Sequence, residues 1–222
     1  MRKSTGNAPW VNKRLNETEG TEMTNSEISR HLDLGCGVKP RNPLRHRDLF
    51  GCDIRDIGDV AKELNFEYRQ ANLIQDPIPF PDRFFNSVSA FDFLEHVPRQ
   101  FLNKNGELIN PFVNVMNEVH RVLVPGGRLI AITPAYPRPE AFQDPTHVNI
   151  ITEKTHEYFV SGDPYAAIYG FKGQFEVVNV YWSAPKNAHN MLESGWRKAI
   201  RNIEHRFFKE GLSHMLWDLK AV

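Results

Sequence analysis

Residues 31–54 constrain this chain more than any other stretch. A short run from Leu32 to Leu34 leads into Gly35-Cys36-Gly37, and a second apolar run, Leu49 to Ile54, delivers Asp53 eighteen positions after Gly35. Glycine tolerates positive φ and lets backbone approach a ligand closely. A carboxylate at the tip of the following strand is placed to accept from ribose hydroxyls. The spacing predicts two neighbouring strands that hold a nucleoside-type ligand at their carboxyl ends. Where the dinucleotide fingerprint has its third glycine, this chain has Val38-Lys39-Pro40. A pyrophosphate needs free amides at a helix start, and Pro40 removes one of them. Asp33, an acid inside a strand, is a second departure. The expected ligand has a ribose and no pyrophosphate, which makes a nicotinamide-dependent oxidoreductase the weaker reading.

Asp33-Leu34-Gly35-Cys36-Gly37 followed by Asp53 resembles the first two motifs of the class I S-adenosylmethionine-dependent methyltransferases. The resemblance implies a Rossmann-like three-layer αβα sandwich, with a seven-stranded, mostly parallel sheet whose last strand is antiparallel. It implies S-adenosyl-L-methionine as cofactor and S-adenosyl-L-homocysteine as product. It places Gly35, Cys36 and Gly37 against the methionyl and ribose portions, and Asp53 and Ile54 at the ribose. Asp33 then holds the ammonium group, or else stabilises the turn. A third strand, Phe66 to Ala71, ends in Asn72-Leu73, where the family usually carries an Asp for the adenine amine. The Asn72 carbonyl accepts from the same amine, or Asn72 is simply a turn former. Phe91 and Asp92 at the end of a fourth strand, with His96 beyond, lie across from the glycine loop. Arg121 to Gly127 resembles the family's helix-to-strand turn, whose role is structural.

The rest of the chain reads as support for that site. At 222 residues it suits one domain over 29–222. Residues 1–28 are polar and aperiodic, and are expected to be mobile or to act as a lid. Asn110-Pro111 starts a helix with Phe112, Val115, Met116, Val119, Val122 and Leu123 on one face. Four prolines are expected to keep 133–150 out of regular structure, and Thr152 to cap a helix reaching about Val160. Strands follow at Phe175 to Trp182 and His214 to Val222, with a helical insertion near 187–211. Its 27 basic and 27 acidic residues balance, so no overall field recruits nucleic acid. No apolar run approaches the roughly 18 residues of a membrane span, and no apolar stretch follows Arg2 and Lys3 as in a secretory signal. A cytoplasmic protein with Cys36 and Cys52 as reduced thiols is expected.

Methyl transfer from a sulfonium is an in-line displacement that needs positioning, exclusion of water and sometimes a base. His96, Asp144, His147 and His156 are the candidates for the acceptor's proton. Asp144-Pro145-Thr146-His147 lies in the proline-rich loop at the ligand edge, so His147 ranks first as base, with Asp144 orienting it or meeting the acceptor. The alternative is an Asx turn at Asp144 and a packed His147. Asp92, Glu95, His96, Asp144 and His147 could also gather around a metal, but no metal-type spacing is present and none is expected. The fourth strand ends in Phe91-Asp92-Phe93-Leu94, not the Asn/Asp-Pro-Pro-aromatic quartet of adenine and glutamine methylation. With Arg41-Asn42-Pro43, the Asp-Pro-Thr-His loop resembles methyltransferases of surface-glycan or secondary-metabolite assembly. An oxygen or nitrogen of a small-molecule or glycan-type acceptor is the implied target; a non-catalytic binding protein of the same fold is the alternative.

Overall fold

The computed structural model describes residues 29–103, 105–160, 162–184 and 212–222. The polar segment 1–28 and the predicted helix near 187–211 lie outside the described residues. Five strands run parallel: β1 (Arg30–Leu34), β2 (Asp48–Asp53), β3 (Glu67–Gln70), β4 (Phe85–Phe91) and, after a small hairpin of β5 (Phe101–Leu102) and β6 (Leu108–Ile109), β7 (Leu123–Pro134). With β8 (Phe175–Ser183) and β9 (His214–Ala221) they form a seven-stranded sheet in the order β3-β2-β1-β4-β7-β9-β8. The last strand, β9, is antiparallel to both neighbours, as expected from the sequence. Chain direction therefore puts the carboxyl ends of β1, β2, β4 and β7 along one edge. The order reverses between β1 and β4, which is where an open α/β sheet opens a crevice.

Side-chain alternation sorts the sheet into two unlike faces. Leu32, Leu34, Val88, Ala90, Leu129, Ala131, Met215, Trp217 and Leu219 belong to one large buried cluster. The helix α2 (Pro111–Val122) docks on that cluster through Phe112, Val115, Met116, Val119 and Val122, the spacing its sequence predicts. Phe50, Phe80, Phe84 and Phe85 close one end of this core as edge-on ring pairs, with Phe84 and Phe85 centroids 5.0 Å apart. On the other face, Phe91, Ile130, Ile132 and Leu216 make a smaller apolar patch. Beside it the pattern turns polar: His31, Asp33, Ser87 and Ser89 are all completely buried.

That polar row is satisfied internally, as a buried row must be. His31 bonds Ser87 at 2.6 Å and Ser89 at 2.8 Å through its two ring nitrogens. The Ser89 hydroxyl donates to Asp33 at 2.5 Å. Register explains the row, since His31 pairs with Ser87 and Asp33 with Ser89 across the parallel β1–β4 ladder. The short helix α1 (Gly58–Glu63) covers Cys36 and Phe66 through Ala61.

Two local expectations change. The proline-rich loop contains a single-turn helix, α3 (Glu140–Gln143), because Pro139 already sits at φ −57° and ψ −32°, a helical start. The helix expected after Thr152 is instead a 3₁₀ turn over Thr155–Phe159. Thr152 bonds the Thr155 hydroxyl and accepts from the Lys154 N–H, which tightens the first turn and leaves only five residues to follow.

Candidate active site

Gly35 and Gly37 follow β1 at φ +62° and +54°, the left-handed bend that only glycine adopts cheaply. A Cβ at Gly35 would also come within 2.9 Å of the Phe93 ring. Asp53, at the tip of β2, faces this bend: its Oδ2 accepts the Gly37 N–H at 2.9 Å. The remaining acceptor capacity of Asp53 is also occupied. Arg55 donates its N–H and Nε to Oδ1 at 3.0 Å each, and its Nη2 to Oδ2 at 3.0 Å. Burial pushes Asp53 up, but the Arg55 and Gly37 hydrogen bonds outweigh it and hold the carboxyl below the usual carboxylate range.

A cavity of about 280 Å³ opens at this edge, lined by Gly35, Asp53, Ile54, Asn72, Leu73, Asp92 and His96 among others. It falls just below the ~300–1,000 Å³ typical of ligand pockets. Seven of the residues expected at the cofactor are thus brought together. Cys36, Gly37, Phe91 and Asp33 lie outside the lining. Cys36 is buried against α1, and Phe91 packs with Ile130 and Ile132. Asp33 takes the Arg41 N–H at 2.8 Å in addition to the Ser89 hydroxyl, so it anchors the loop after the glycines. Burial pushes its carboxyl up to about 7, against the pull of those hydrogen bonds and of the Arg41 guanidinium. Asn72 Oδ1 accepts the Ile74 N–H at 3.2 Å, an Asx turn that leaves one carbonyl lone pair. The two thiols are free and buried, and burial pushes both up to about 12.

Beyond β4 the chain turns sharply, with Asp92 at φ +49° and a 3₁₀ turn over Leu94–His96. The loop after α3 is stitched to this turn. The Glu95 carbonyl accepts the N–H groups of Val148 and Asn149, and Asn149 Nδ2 donates to the Leu94 carbonyl at 3.1 Å. His96 and His147, fifty-one positions apart, thereby meet edge to face with ring centroids 4.9 Å apart. His147 Nδ1 bonds the Ala141 carbonyl at 3.3 Å, which leaves Nε2 with its lone pair. The orienting partner of His147 is that carbonyl; Asp144 Oδ2 stands 4.0 Å from Nε2. Asp144 Oδ1 instead accepts from the Thr146 N–H and hydroxyl, which hold its carboxyl below the usual range. Glu95 Oε1 is also 4.0 Å from His147 Nε2. Burial pushes Glu95 up to about 7. One ligand atom each from Glu95, His96 and His147 lies within 4.8 Å of the others. His156, the remaining candidate base, is away from this group and tilted against Trp217.

Three contributors carried no signal in the sequence. Arg55 is an ordinary loop cation until the fold lays it on Asp53. His214, at the start of β9, reaches Asp92 with Nε2 3.2 Å from Oδ1, across more than a hundred residues. Thr133, at the end of β7, donates to Glu95 Oε2 at 2.7 Å.

A parallel sheet with its order reversed beside a glycine bend, and an acid at the next strand tip, make an α/β arrangement with a crevice at its carboxyl edge. Residues 32–131, which span β1 to β7, match the family described as methyltransferase domain. Over these residues, just under half of the 222, the chain is similar to the class I, Rossmann-like S-adenosylmethionine-dependent methyltransferases. No curated protein matches it in sequence. Among solved structures it resembles geranyl diphosphate C-methyltransferase from Streptomyces coelicolor in complex with Mg²⁺, geranyl diphosphate and S-adenosyl-L-homocysteine. The TM-score is 0.53 at 17% identity, over 87% of this chain and 73% of that one. A geranyl diphosphate methyltransferase in complex with SAM gives a TM-score of 0.51 at 16% identity, over 88% and 79%. The 4+2 cyclase SpnF gives 0.52 at 15%, over 87% and 74%. At these identities the likeness concerns fold, and fold alone does not select chemistry. Among the described residues no helix is long and apolar enough to cross a membrane.

Proposed function

We propose that this chain transfers the methyl group of S-adenosylmethionine to an oxygen or nitrogen of a small-molecule or glycan-type acceptor. The observation that carries the reading is the convergence of Gly35, Asp53, Asn72 and Leu73 on one cavity that His96 links to His147. In this reading Asp53 accepts the ribose hydroxyls once Arg55 swings aside, and Ile54 packs at the ribose. The Asn72 carbonyl and the Leu73 N–H meet the adenine. Gly35 and Gly37 give the methionyl portion a bare backbone. Cys36 and Phe91 back the site, and Asp33 holds the loop that meets the ammonium group. Asp92 borders the methionyl end with His214 behind it. The acceptor's proton is lost at the His147–Asp144 face, where a free imidazole lone pair lies beside an exposed carboxylate. Free thiols beside the site suit a reducing, cytoplasmic compartment. The catalytic unit is residues 29–222.

S-adenosylhomocysteine at a hundred times its dissociation constant should stabilise the protein by about 2.7 kcal/mol in a thermal-shift assay, and NAD should not. Once an acceptor is found, His147→Ala and Asp144→Asn are expected to lower turnover while S-adenosylhomocysteine affinity is kept. Stabilisation by NAD alone, or full turnover in both variants, overturns the assignment.

A further inference from the structure

We propose that Glu95, His96 and His147 form a binding site for one divalent ion of the zinc, cobalt, nickel and iron(II) class. The ligand set is two imidazoles and one carboxylate, which suits these borderline ions better than the all-oxygen preference of Mg²⁺ or Ca²⁺. Each of the three side chains is held by a second group that leaves one ligating atom free. Thr133 holds Glu95 Oε2, and Oε1 is a buried oxygen with no hydrogen-bond partner, on a residue only 1% exposed. An orphaned buried carboxylate oxygen is costly and asks for a cation or proton. It points at His147, 4.0 Å from Nε2. His147 is turned by the Ala141 carbonyl on Nδ1, and His96 Nδ1 lies 3.3 Å from the Thr146 carbonyl and 3.0 Å from its hydroxyl. Second contacts of this kind fix the neutral tautomer that binds metal.

One candidate ligand atom from each of the three residues lies within 4.8 Å of the others. Bonds of about 2.0–2.1 Å to a four-coordinate ion space ligands by roughly 3.3 Å. Closing that gap takes shifts of about an ångström, small enough for the half-buried His96 and for His147, whose neighbours Pro145 and Thr146 are exposed. Three protein ligands leave at least one position open to water or an acceptor oxygen. His96 also lines the cofactor cavity, so the ion would border it. Asp144 Oδ2, 4.0 Å from His147 Nε2, adds negative charge on the open side.

The site itself stands on side-chain geometry. What the ion would do there rests on the methyltransferase reading: with Nε2 of His147 as a ligand, the ion would replace that imidazole as the group that eases loss of the acceptor's proton, by lowering the proton affinity of an acceptor oxygen at its open position. Oxygen acceptors that bind as oxyanions are then favoured over amines.

The test is titration of the chelator-stripped full chain with Co²⁺, read by visible d–d absorption and by calorimetry. One equivalent should bind with imidazole-type spectra, and a large excess of Mg²⁺ should not displace it. His96→Ala and His147→Ala should each weaken binding at least tenfold. Glu95→Gln, which keeps size and the Thr133 contact, should do the same, and undiminished binding in that variant overturns the three-ligand site. Thermal melting of each variant confirms the fold. Absence of a stoichiometric site, or binding that survives both histidine substitutions, overturns the proposal. S-adenosylhomocysteine affinity, measured on the same samples, separates that outcome from failure of the methyltransferase reading.

Discussion

Arg55 makes Asp53 a quantitative test of how the cofactor is held. A carboxylate offers about four lone-pair sites, and Asp53 already fills four with the Gly37 N–H, the Arg55 N–H, Nε and Nη2. Two ribose hydroxyls can enter only by displacing the guanidinium. Each hydrogen bond to a charged group contributes about 1.5–3 kcal/mol. The displaced Arg55 side chain is 62% exposed, so its ion pair returns only about 0–1 kcal/mol. Net, Asp53→Ala should cost about 2–6 kcal/mol of S-adenosylhomocysteine affinity, a weakening of roughly 30-fold or more in calorimetry. Arg55→Ala, which removes the competitor, should tighten binding by up to about fivefold. Asp53→Asn keeps an acceptor for the Gly37 N–H and separates collapse of the loop from loss of the ribose contact. Two results refute the reasoning. One is a change under threefold in Asp53→Ala with its melting intact; the other is a tenfold loss in Arg55→Ala, which would make the guanidinium itself a ligand contact.

Gly35→Ala combines a left-handed φ, worth about 1 kcal/mol, with the 2.9 Å approach to Phe93. Its melting temperature should fall by about 2–8 °C and its cofactor affinity with it. Phe85→Ala empties the centre of the ring cluster formed with Phe50, Phe80 and Phe84, and should lower urea stability by about 3–5 kcal/mol. Stability against pH should show two opposed buried groups. Asp33 keeps its proton to about 7 in the folded chain against 3.8 in its absence, so its contribution is present at the acid end and declines as pH rises from about 4 to 7. Burial depresses His31 from 6.5 to about 3, so its contribution grows with pH across that span. Chemical denaturation of Asp33→Asn should therefore show a steeper rise of stability between pH 4 and 6.5 than the parent; identical slopes would mean Asp33 is ionised throughout.

The strands, the glycine bend and the acid beside it were legible because their signals are local. Leu32 and Leu34 alternate with polar partners within one strand, Gly35 and Gly37 mark a bend next to it, and Asp53 ends the very next strand. Helix α2 announced itself by its apolar face and by Asn110-Pro111. The 3₁₀ turn at Thr155–Phe159 and the single turn at Glu140–Gln143 were not legible, because a few hydrogen bonds and a proline dihedral decide them. Likewise the burial of His31 and Asp33 depends on Ser87 and Ser89 arriving opposite them in the parallel register.

Residue order by itself determined which strands form and which ends of them can hold a nucleoside, since periodicity and glycine placement act over a few positions. Only the tertiary structure decided that Arg55 folds back on Asp53, that His214 meets Asp92, and that Glu95, His96 and His147 converge. Those contacts join loops fifty or more residues apart, or depend on the path of a side chain. No spacing in the chain encodes them, because the topology of the sheet and the packing of its carboxyl edge create them.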